Sequence, residues 1–69
     1  MNIFDIDKKT ALPLAVSIAN LCADSEVRQE DCMHALMRCA VAIAERMQEE
    51  GQNGYGLLDE ALALAESNG

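Results

Sequence analysis

Cations are scarce in this sequence. Five Lys and Arg residues stand against 12 Asp and Glu, a formal net charge of −7 over 69 residues. No lysine follows Lys9, and Arg28, Arg38 and Arg46 are the only later cations. Phosphate binding needs Lys and Arg to displace counterions, so the balance argues against nucleic acid as a direct partner. An anionic membrane surface would repel the chain, and a basic protein surface would attract it. Aromatics are nearly missing too: there is no Trp, one Phe and one Tyr. The core must then come from Ala, Leu, Ile, Val, Met and Cys, many of them small and burying little area each. A chain of this length lies near the size at which a single core barely holds. A second chain would supply the missing contact area.

Other absences narrow the class further. No basic stretch precedes an apolar run in "MNIFDIDKK", so this start does not read as a secretory leader. The longest greasy segment, residues 11–23, falls short of the ~20 apolar residues needed to cross a bilayer. Cys22, Cys32 and Cys39 are an odd number for a disulfide scaffold and form no C-x-x-C pair. They point to reduced thiols in a cytoplasm, packed as small hydrophobes. On a helix Cys32 and His34 diverge by ~200°, and Cys32 and Cys39 stand two turns apart, so neither pair shapes a tetrahedral zinc site. His34 has only Glu30 and Arg38 as helical neighbours, with no nucleophile beside it. No metal, cofactor or catalytic residue is expected, and the chain does not read as an enzyme.

What is present is helical periodicity. Residues 1–9 form an arm in which Ile3, Phe4 and Ile6 can pin the chain across a helix or a second subunit. Thr10 reads as an N-cap that places Pro13 in the first turn, giving a first helix over residues 11–23. In "ALPLAVSIANLCA" the only polar side chains are Ser17 and Asn20. With Thr10 and Asp24 they make one narrow stripe, and every other side is apolar. A helix greasy nearly all round is covered on most of its circumference. Two helices of the same chain cover part of it, and a symmetry mate would cover the rest.

A second helix is expected over residues 26–50, entered through Ser25 or Asp24 and stopped at Gly51. Its inner face reads Met33, Leu36, Met37, Ala40, Ile43, Ala44 and Met47, a stripe that suits a core better than an adaptable groove. Its outer stripe includes Asp31, His34, Arg38, Glu45 and Gln48. "GQNGYG" reads as a flexible turn, and a short third helix follows over residues 57–67. The expected fold is therefore all-α: a helical hairpin plus a short third helix in one domain, associating as a symmetric homodimer. Leu12, Ala15, Val16, Ile18, Ala19, Cys22, Met33, Leu36, Met37 and Ala40 are the expected dimer interface.

The polar corner "DSEVRQED" concentrates Asp24, Glu26, Glu30 and Asp31 around Arg28, with Asp24 in the favourable order to pair with Arg28 if helical. A two-fold axis would present this patch twice, which suits a dimeric basic target. Tyr55, flanked by glycines, is a second candidate anchor. In overall look the helical pair "PLAVSIANLCADSEVRQEDCMHALMRCAVAIAERM" resembles small acidic phage-encoded inhibitors, such as anti-activators of host transcription regulators and anti-CRISPR proteins. The resemblance is one of type and carries no diagnostic motif. It implies stoichiometric inhibition inside a bacterial cell by covering a nucleic-acid-binding or oligomerising surface. The same features also suit a small structural subunit, or an antitoxin- or chaperone-like partner of a larger assembly.

Overall fold

The computed structural model describes residues 4–67. They form three helices: α1 (Lys8–Asp24), α2 (Gln29–Glu49) and α3 (Gly54–Glu66), with no strand among the described residues. The all-helical class agrees with the sequence pattern. Ile3, assigned to the arm, lies outside the described residues.

α1 starts three residues earlier than the expected residue 11. Asp7, not Thr10, is the N-cap: its carboxylate accepts from the Lys9 N–H at 3.0 Å and from the Thr10 hydroxyl at 3.0 Å. Two donors on one carboxylate outweigh the loss that this start imposes at Pro13. Pro13 now sits in the second turn, where its missing N–H leaves the Lys9 carbonyl without its ladder bond. The Ser17 hydroxyl donates back to the Pro13 carbonyl at 3.2 Å.

α2 starts later than expected, at Gln29 rather than residue 26, because the connection turns through a left-handed residue. Glu26 has φ 59°, a conformation that usually selects glycine. Ser25 closes α1 instead of opening α2; its hydroxyl donates to the Cys22 carbonyl at 2.8 Å. At its far end α2 stops where glycine predicts. Gly51 takes φ 81°, its N–H donates to the Gln48 carbonyl at 3.1 Å, and the Gln52 N–H reaches the Met47 carbonyl at 2.8 Å.

The expected loop "GQNGYG" is half helix. Asn53 caps α3 by accepting from the Gly56 N–H at 3.0 Å, so Gly54 and Gly56 belong to the first turn. Gly54 is required there by space. A Cβ at this position would fall inside contact distance of the Ala44 backbone. That approach seats the start of α3 on α2 and makes Ala44, 3% exposed, the one buried hydrophobic side chain among the described residues.

α2 and α3 pack closely and form the hairpin, in place of the expected pairing of the first two helices, whereas the backbone of α1 hardly approaches either of them. The arm lies on the hairpin: Phe4 and Ile6 are half-buried, and the Phe4 N–H donates to Glu60 Oε2 at 3.2 Å.

Candidate protein-binding surface

α1 is the feature that needs explaining. It has no buried residue. Leu12, Leu14, Val16 and Leu21 are between 59% and 71% exposed, and only Ile18 and Cys22 are half-buried. Looking down the helix, Ala11, Ala15, Ile18, Ala19 and Cys22 point roughly toward the hairpin. Leu14 and Leu21 flank that face on one side, Leu12 and Val16 on the other. The apolar arc is wider than the hairpin can cover.

Open apolar clefts run along the same side of α1. One of about 690 Å³ separates its C-terminal half from the start of α2, between Ala19, Cys22, Val27, Cys32, Met33 and Leu36. Another, of about 320 Å³, separates its N-terminal half from α3, between Ala11, Leu12, Ala15, Ala61, Leu64 and Ala65. Protein interiors close such gaps, because a gap forfeits the dispersion contacts of its lining.

Of the expected interface residues, Leu12, Ala15, Ala19, Cys22, Met33 and Leu36 line these clefts, whereas Ala40 lines a cleft between α2 and α3. Leu12, Ala15, Val16 and Ala19 of α1 are exposed, as are Met33, Leu36 and Met37 of α2; Ile18, Cys22 and Ala40 are half-buried. The half-buried positions of α2 are Cys32, Ala40, Val41 and Met47, so Met33 and Ile43 do not enter the chain's own core. Leu14 and Leu21 were not among the expected interface residues. Their spacing with Ile18, four and then three residues, is a helical seam that could have marked them.

The acidic corner is assembled as a patch, with a different internal pairing. Asp24, Glu26, Arg28, Glu30 and Asp31 are all exposed around the α1–α2 connection. Arg28 sits in extended backbone just before α2 and pairs with Asp31, not Asp24: Nε to Oδ2 is 3.2 Å and Nη2 to Oδ1 is 3.5 Å. The helical spacing from Asp24 to Arg28 does not exist, because Glu26 breaks it. Glu30 and Asp31 occupy the first turn of α2, where negative charge suits the helix dipole. Tyr55, 47% exposed, is at the other end of α2, about 30 Å from the corner by helix rise. Tyr55 and the corner therefore do not form one patch on a single chain.

The thiols sort differently from the expectation of three buried side chains. Cys39 is exposed, and Cys22 and Cys32 are half-buried across the α1–α2 cleft. Loss of water around it, together with a hydrogen bond and charge interaction with Cys32, pushes the Cys22 thiol above its ordinary value. A thiol shifted that way is a poor nucleophile near neutral pH. Among the described residues no three His, Cys, Asp or Glu side chains converge on a point that would hold a metal ion. No described helix is long and apolar enough to cross a membrane.

No family model matches the chain, and no curated protein or solved structure matches it.

Proposed function

We propose that this chain is a non-enzymatic protein-binding module that works as a homodimer and covers a basic surface on another protein. The reading is carried by α1, a 17-residue helix with no buried residue and four large aliphatic side chains in water. Apolar surface of that extent on one element marks an interaction site. The acid excess sets the sign of the target: a −7 chain steers toward basic surfaces. The target class that fits best is the DNA-binding surface of a bacterial regulator, with DNA displaced in competition. The exposed Asp24, Glu26, Glu30 and Asp31 make the contact, and a two-fold axis presents them twice.

Titration against basic DNA-binding regulators already loaded with labelled DNA tests this reading. Release of the DNA at a fixed stoichiometry, weakened by added salt, is the expected result. An Arg28→Ala, Glu30→Ala double variant that releases DNA as well as the natural chain removes the corner from the contact. Failure to release DNA from any regulator recovered from the native host overturns the proposal.

A further inference from the structure

The surface of the single chain is too large for its mass. It exposes 5867 Å² at 7.5 kDa. A folded monomer of that mass exposes about 4,200 Å² by the usual scaling of area with mass. The surplus is about 1,600 Å² per chain, so closing it between two copies would bury about 3,200 Å² in total. That total falls within the range of roughly 2,000–5,000 Å² found at obligate interfaces and is about twice the standard size of a specific interface.

Four of the exposed large hydrophobic side chains sit on α1, a helix poorly supported by its own chain. α1 carries Pro13 in its second turn, which removes a ladder bond. Its end charges oppose its dipole. Beyond the Asp7 cap, Lys8 and Lys9 occupy the first turn and Asp24 the last residue, with no acid in the first turn and no base in the last. α2 shows the reverse, with Glu30 and Asp31 first and Arg46 last. A second α1 laid antiparallel along the first answers both defects. Each Lys8–Lys9 pair would lie beside Asp24 and the helix C-terminus of the other copy. Leu12 and Val16, which share one flank of α1, would gain apolar neighbours.

We infer that the occupant of the α1 face is α1 of a second copy, antiparallel across a two-fold axis, and that dimerisation and folding of this chain are one event. The inference rests on the homodimer reading above and adds its geometry and its obligate character. The open clefts beside α1 are the space into which side chains of the second copy pack. No folded monomer precedes the dimer.

Two measurements on the full chain test it. The first is thermal unfolding followed by circular dichroism over a thousandfold range of concentration, with sedimentation equilibrium at each point. The expected result is a dimer whose midpoint rises by about 5 °C for each tenfold increase, given the entropy of unfolding two 69-residue chains together. A dimer that dissociates to helical monomers with an unchanged midpoint overturns the obligate character and leaves the homodimer reading standing. A folded monomer at all concentrations overturns both.

The second uses Lys9→Glu and Asp24→Lys, both at exposed positions. Each variant alone places like charges across an antiparallel pair, and the mixture restores opposite charges at both ends. The expected result is at least a tenfold loss of self-association for each alone and preferential heterodimers on mixing. Statistical mixing, with each variant dimerising as well as the natural chain, overturns the antiparallel placement.

Discussion

The carboxamide oxygen of Gln48, in the last turn of α2, accepts from the backbone N–H of Gly54 at 2.7 Å and from that of Tyr55 at 3.4 Å. It satisfies two of the donors that the start of α3 leaves without intrahelical partners, and Asn53 takes a third. Gln48 thus ties the two helices that pack closely. Gln48→Ala should destabilise the fold by about 1–2 kcal/mol, as loss of a helix cap does. Urea unfolding monitored by circular dichroism checks this, with Gln48→Glu retaining most of the stability because a carboxylate suits a helix N-terminus.

Gly54→Ala should be among the most damaging single-methyl changes in the chain. The added Cβ meets the backbone of Ala44, which cannot swing aside as a flexible side chain could. A loss of about 1–3 kcal/mol is expected from forced overpacking, and more if α3 detaches. Hydrogen exchange distinguishes the two outcomes: amides of α3 lose protection selectively if it undocks.

Glu26→Gly should stabilise the chain. At φ 59° a side chain is strained and glycine is not. The gain expected is about 0.5–1 kcal/mol, partly offset by the greater freedom of glycine in the unfolded chain. A raised thermal midpoint at fixed protein concentration is the readout.

Arg28→Ala should change stability by no more than about 0.5 kcal/mol, because its pairing with Asp31 is an exposed ion pair. Weakened target binding from this variant would then report on the contact and not on the fold.

The three thiols should react in a defined order with a disulfide reagent near pH 8. Exposed Cys39 leads, and Cys22 trails because its raised value leaves less thiolate. Since the folded chain holds the Cys22 proton more tightly than the unfolded one, its contribution to stability is present below the ordinary thiol range and is lost as pH rises through it. Cys22→Ser removes that part of the alkaline dependence.

The parts of this fold that were legible in sequence are those written in local periodicity and glycine. The three- and four-residue spacing from Met33 to Met47 marks α2, and Gly51 marks its end. Thr10 and Asp7 are both good caps, and the choice between them depends on a second hydrogen bond that spacing alone does not reveal. The left-handed turn at Glu26 carried no glycine to announce it. Asn53 was hidden in a glycine-rich run that imitates a loop. Gln48 lay on the expected solvent stripe, and its capping role exists only once α3 folds back. For the candidate site, the narrow polar stripe of Thr10, Ser17, Asn20 and Asp24 identified α1 as the unusual helix. How far α1 stands off the hairpin depends on packing, which no local pattern encodes.

One copy leaves α1 without a buried residue, and the mass of the folded particle in dilute buffer tests most directly whether a second copy covers it. Sedimentation equilibrium should return twice 7.5 kDa for the helical species. A well-folded, helical particle of 7.5 kDa would contradict it.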